Sequence, residues 1–210
     1  MFRRLAVVCI AFLGTAGSIV LPYDALSAQE LKGAETVSIY QALKHFNQGC
    51  ALLEQYRYAE AASAFEKALE TAPDWTAARY NLALALLNTQ EQQGAKESLA
   101  RAAEEFRHVL DREPENLHAW FGLGMYYEHI GDHENAIRCF EKVAQSDPED
   151  PHAAFKYAEA LAAVGRNEEA RTWFEKAVTL DPGCTSAVYR LAMLYQRERR
   201  RDEALKLFER

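Results

Sequence analysis

The sequence is poor in the residues that interrupt helices. Six prolines and ten glycines stand among 210 residues, and the runs of alternating β-branched residues that a half-buried strand needs are missing. These shortages exclude a turn-rich sandwich or barrel and leave helix as the favoured local state almost everywhere. Basic charge is also short. Lysine and arginine together number 24 against 31 aspartates and glutamates, a formal charge of −7, whereas a chain that neutralises phosphates needs clustered cations. A nucleic-acid partner is therefore not expected. Cysteine is sparse, and Cys9, Cys50, Cys139 and Cys184 form no Cys-x-x-Cys metal or redox pair.

Chemistry-bearing motifs are absent as well. The sequence contains no Gly-rich phosphate loop, nucleophile elbow or isolated carboxylate pair. His129 and His133 are four apart, but Gly131 and Asp132 between them break the helix that would hold both imidazoles on one face. The sequence thus predicts no catalytic residues, no metal ligands and no cofactor, and reads as a protein that is not an enzyme.

The start of the chain has a different character. Arg3 and Arg4 precede an uncharged apolar run from Leu5 to Leu21, and Ala25, Leu26, Ser27 and Ala28 follow it. A positive start, an apolar stretch and small residues at the exit describe a secretory signal peptide over residues 1–28. The chain is expected to be exported, periplasmic or secreted, with membrane contact only through this segment. If it is left uncleaved, residues 5–21 instead anchor the chain in an inner membrane. Residues 29–37 are expected to form a flexible mature N-terminus.

The rest repeats itself. Pro114, Pro148 and Pro182 stand 34 residues apart, and Pro73 precedes them by 41. Each follows an amphipathic stretch that it ends, since its ring cannot continue a helix. One unit carries Trp120, Leu123, Gly124, Tyr127, Ala136, Phe140 and Val143 before Asp147 and Pro148. The next carries Tyr157, Ala158, Leu161, Ala170, Phe174 and Ala177 before Asp181 and Pro182. Gly49, Ala61, Phe65 and Pro73 open the series, and Leu191, Ala192, Tyr195, Ala204 and Phe208 continue it. Small residues at Gly49, Gly124, Ala136 and Ala170 let two helix backbones approach to roughly 8 to 10 Å.

This pattern resembles the tetratricopeptide repeat family over residues 38–210. The resemblance implies an all-α, right-handed α-solenoid of stacked antiparallel helix pairs, with units of about 42–75, 76–116, 117–150, 151–184 and an incomplete 185–210. Local signals agree: Ser38 with Gln41 reads as a capping box, Asn116 and Asp150 as N-caps, and Gly131 and Gly165 as the reversals within a unit. The seven extra residues near Asn88 to Ser98 are expected to lengthen both helices of the second unit by about two turns.

In the family the first helices of successive units line a concave groove, so the resemblance implies a protein or peptide partner bound there. Carried onto this sequence, the groove positions are Phe46 and Cys50, Tyr80 and Leu84, Phe121 and Met125, Phe155 and Glu159, and Tyr189 and Met193. A recurring aromatic with adaptable methionines suits an apolar or amphipathic segment. The Lys and Asn clamp of chaperone-binding members is not expected, although Asn47, Asn81, Lys156 and Arg190 lie beside these positions. The cluster Arg197, Arg199, Arg200 and Arg201 reads as a solvated turn whose charges pair with nearby acids. Two roles follow: a scaffold or adaptor in a bacterial cell envelope, or the interaction arm of a longer exported enzyme or propeller-containing protein.

Overall fold

A computed structural model describes residues 33–89 and 95–209. The expected signal peptide and the apolar run from Leu5 to Leu21 lie outside the described residues. Every regular element that is described is an α-helix: α1 (Gly33–Glu54), α2 (Tyr58–Thr71), α3 (Thr76–Leu87), α4 (Ala95–Arg112), α5 (Leu117–Ile130), α6 (His133–Ser146), α7 (Pro151–Ala163), α8 (Asn167–Leu180), α9 (Thr185–Arg197) and α10 (Arg201–Phe208). No described helix is long and apolar enough to cross a membrane. The chain forms two compact units, one ending at Glu105 and the other beginning at Phe106. In the first, α1 packs on α2 and α2 on α3. In the second, contacts run in order from α5 through α10. Short connections force neighbouring helices antiparallel, so each unit has the stacked helix-pair arrangement of an all-α solenoid.

Prolines end the second helices as their spacing predicts. Ala72, Glu113, Asp147 and Asp181 each precede a proline and donate their N–H to Ala68, Val109, Val143 and Ala177 O, closing the last turn. At the other ends, Asn116 accepts from the Ala119 N–H at 3.0 Å, and Asp150 accepts from His152 and Ala153 at 2.8 and 3.1 Å. Asp132 caps α6 in the same way through the Asn135 N–H, at a position where the sequence alone indicates only a break. Ser38 behaves otherwise. Helix α1 already runs from Gly33, so Ser38 lies inside it and not at its N-cap.

The second repeat also differs from expectation. Helix α3 has only 12 residues and α4 has 18, against 14 in α2, α6 and α8. Among the described residues of this repeat the extra length shows in α4 alone, and Asn88 already closes α3, its N–H reaching back to Leu84 and Ala85 O.

Four repeats turn between their helices through one left-handed residue. Gly131 and Gly165 take φ of 77° and 81°, as their position predicts. Tyr56 and Arg199 fill the equivalent positions at 59° and 63°, and the following N–H reaches the same carbonyl in all four cases: Arg57 to Leu52, Asp132 to Tyr127, Arg166 to Leu161 and Arg200 to Tyr195. A side chain in this conformation costs about 1–2 kcal/mol. Arg199→Gly is accordingly expected to raise the unfolding midpoint, by about 1 kcal/mol of stability in urea titration after the loss of chain entropy at glycine is subtracted. An unchanged or lower midpoint would show that this turn is not strained.

The core is built on one phenylalanine in each of the second helices α2, α4, α6 and α8. Phe65, Phe106, Phe140 and Phe174 are all fully buried. Three of them press on glycine. A methyl on Gly49 would lie 2.6 Å from Phe65 and one on Gly124 2.7 Å from Phe140, while Gly122 is closer still to the Phe106 ring. Close helix approach is expected at Gly49 and Gly124 from the repeat pattern, and Gly122 is a third close approach that the pattern does not indicate.

Candidate functional site

The first helices of the second unit, α5, α7 and α9, carry most of the positions expected to meet a partner. They divide sharply. Met125 is only 5% exposed and serves the interior, as do Phe46 at 4% and Leu84 at 9% in the first unit. In these three the expectation of an open groove wall is not met: each side chain is buried in its own stack of helices. Cys50, Tyr80, Phe121, Phe155, Glu159 and Met193 are half-buried, and Tyr189 is exposed.

The aromatic series has an internal role that spacing alone does not reveal. Phe46 meets Phe65 edge-on at 5.7 Å, Phe121 meets Phe140 at 5.4 Å, Phe155 meets Phe174 at 5.8 Å and Tyr189 meets Phe208 at 6.4 Å. Each first-helix ring thus rests on the second-helix ring of its own repeat, a geometry aromatic pairs favour. Phe46 is also stacked on Trp75 at 4.4 Å. Phe121 and Phe155 keep part of their surface open, and Tyr189 keeps most of it.

Charge runs across the same helices. Lys156 Nζ on α7 lies 3.1 Å from Glu128 Oε2 on α5 and 3.1 Å from Glu159 Oε2. The other oxygen of Glu159 accepts from Arg190 on α9, at 3.1 Å from Nε and 2.9 Å from Nη2. Burial works against the Lys156 ammonium, but the two glutamates outweigh it and hold its pKa above the ordinary lysine value. Glu159, expected to face a partner, instead spends one oxygen on Lys156 of its own helix and the other on Arg190, which ties α7 to α9. Lys156 and Arg190, which lie beside the groove positions in sequence, are neutralised by these carboxylates, so no carboxylate clamp is assembled from them. Asn81 donates to Ala77 O on its own helix.

Beside this network lies a cleft of about 230 Å³ between α7, α8 and α9. Ala162, Phe174 and Leu194 contribute apolar surface, Met193 joins them, and Arg190 and Arg197 stand at the cleft with Glu159. Two of the expected groove residues, Glu159 and Met193, are brought together here. Ala162 and Arg197 are site residues that the repeat pattern does not indicate. The available signal is the spacing of Arg190, Met193, Leu194 and Arg197, which places them on one face of α9.

The basic cluster after α9 resolves as expected for Arg200, which pairs with Glu203 at 3.1 Å and Glu198 at 3.6 Å and lies over the Tyr195 ring. Cys50, Cys139 and Cys184 are free thiols. Burial lifts the Cys50 and Cys139 thiols to about 11 and about 12, which keeps both protonated and unreactive near neutrality. Among the described residues no three His, Cys, Asp or Glu side chains are grouped to hold a metal ion. His129 and His133 fall on different helices, and His129 Nδ1 lies 2.6 Å from Met125 O.

Comparisons with known proteins agree with this architecture. Models described as tetratricopeptide repeat match residues 42–75, 93–137, 130–183 and 187–210. A search of curated protein sequences gave no match. Among solved structures, MamA 41-end from Desulfovibrio magneticus RS-1 is 21% identical with a TM-score of 0.70, over 80% of this chain and 92% of that one. MamA AMB-1 is 23% identical with a TM-score of 0.64, over 81% and 89%. YrrB, described as a TPR protein with an unusual peptide-binding site, is 23% identical with a TM-score of 0.62, over 84% and 90%. With the repeat models spread over most of its length and the helix-pair stack formed from the residues they match, this chain belongs to the tetratricopeptide repeat family.

Proposed function

We propose that the protein is a non-catalytic scaffold that holds a peptide or helix of a partner protein against the first helices of its repeats, in a bacterial cell envelope reached through its N-terminal segment. The observation that carries the reading is the state of the α5, α7 and α9 face. Its cations and carboxylates largely satisfy one another, Phe121, Phe155 and Tyr189 leave aromatic surface open, and a cleft lies between α7, α8 and α9. Rigid half-open rings beside a neutralised polar network give a surface that desolvates at low entropic cost, which is what partner-binding hot spots require. The unusual peptide-binding site ascribed to YrrB supports the same use of this fold. Export rests on the sequence of residues 1–28.

The test is the pair Phe155→Ala and Tyr189→Ala in the full chain. Retained partner binding at wild-type affinity, with helical circular dichroism unchanged, would remove this face from the function. The expected result is a loss of at least tenfold in affinity for a partner recovered from the producing cells, corresponding to about 1.4 kcal/mol or more.

A further inference from the structure

The cleft between α7, α8 and α9 is chemically lopsided. Its apolar lining comes from Ala162, Ala163, Phe174, Met193 and Leu194, and its charged lining from Arg190, Arg197 and Glu159. Arg190 is committed to Glu159, whose other oxygen holds Lys156. Arg197 has no acidic partner among the described residues. Counting the network with the cleft, Lys156, Arg190 and Arg197 face only Glu128 and Glu159, so one positive charge is left over on a chain whose formal charge is −7. That surplus sits at the last turn of α9, where Arg197 ends the helix. The cavity is several times the roughly 30 Å³ a water occupies in the liquid, enough for one branched or aromatic side chain.

We propose that this cleft receives a segment of the partner protein in which a leucine- or phenylalanine-sized side chain enters the apolar hollow and an acidic side chain a few residues away pairs with Arg197. This rests on the scaffold reading and specifies which partner sequences it selects. Arg197 lies four residues beyond Met193, roughly 6 Å along the helix axis. The carboxylate is therefore offset from the apolar anchor, as a neighbouring Asp or Glu supplies and as the terminal carboxylate of the anchor residue itself does not. A planar guanidinium takes such a carboxylate by two parallel hydrogen bonds.

The test titrates the full chain with acetylated and amidated octapeptides in an alanine and serine background. Each carries one leucine or phenylalanine with one glutamate placed one to four residues to either side, and a matched set has glutamine instead. A third set lacks glutamate and ends in a free carboxylate. At least one glutamate peptide is expected to bind, with its glutamine counterpart at least tenfold weaker. Arg197→Gln is expected to remove the preference for glutamate, and Ala163→Glu, which puts a carboxylate at the exposed cleft wall, is expected to block binding of both sets. Circular dichroism identifies any variant that fails to fold; Arg197→Gln, at an exposed position, keeps the test decisive if Ala163→Glu does not fold. Equal binding of glutamate and glutamine peptides, an unchanged preference in Arg197→Gln, binding confined to the free-carboxylate set, or no peptide binding would each overturn the proposal. Partner capture that falls in the Phe155 and Tyr189 variant but not in Arg197→Gln would leave the scaffold function standing and sink this cleft alone.

Discussion

Phe140→Ala is expected to cost about 3–5 kcal/mol of unfolding free energy in the second unit, the usual penalty for emptying a fully buried phenylalanine site. Phe140 is fully buried on α6 and fills the space that Gly124 leaves on α5, where a methyl would approach three ring atoms at 2.7, 2.9 and 3.0 Å. The complementary change, Gly124→Ala, is expected to cost about 1–3 kcal/mol through overpacking. Its sign is informative, because alanine in an otherwise unconstrained helix interior is favoured over glycine by about 1 kcal/mol. Combined, the two changes relieve each other: the added methyl occupies part of the vacated ring volume, so the double variant is expected to be less destabilised than the sum of the singles. Urea denaturation of all four proteins checks this. Strict additivity would mean that the glycine and the ring do not share one packing site.

Removing Lys156 is the second large effect. Lys156→Met keeps the length of the side chain but leaves Glu128 and Glu159 without the cation that joins them. The three side chains are 13%, 24% and 17% exposed, short of full burial, so the cost is expected at about 2–3 kcal/mol, below the 3–5 kcal/mol of a fully buried pair. Because the folded-state pKa of Lys156 is raised, its contribution is complete below the ordinary value of 10.5 and is lost only as pH rises through the raised one. As the pH rises through that raised value and Lys156 loses its charge, the gap between variant and wild type is expected to narrow. A gap that stays constant from neutrality to strong alkali would show that the loss came from packing and not from charge.

Much of this fold is legible in the sequence because the signals are local and repeat. Pro73, Pro114, Pro148 and Pro182 stop the helices before them because a proline is tolerated only in a helix's first turn, and Gly131 and Gly165 announce left-handed turns through the one residue that adopts them freely. Tyr56 and Arg199 occupy the same turn without announcing it, since their conformation is imposed by the repeat. The groove is less legible for a physical reason. Spacing places Phe46, Leu84 and Met125 on the first-helix face, but the depth of a side chain depends on how closely the neighbouring helix approaches, and that is set by residues distant in sequence. Glu159 shows the same limit. Its position follows from the repeat, whereas its engagement by Lys156 and Arg190 requires charges three and 31 residues away to converge on opposite oxygens. Arg197 merges in sequence with the charged turn that follows it, although Arg200, three residues later, is the one that turn pairs.

The claim that most needs testing is that a partner meets the first-helix face and no other. A photocrosslinking residue placed in turn at Tyr189 on α9 and at Arg138 on α6, both exposed, is to be activated in the producing cells and the adducts identified by mass spectrometry. The account predicts one protein crosslinked from Tyr189, mapped to a single segment, with little or none from Arg138. Equal yields of the same adduct from both positions, or no protein adduct from Tyr189, would contradict it.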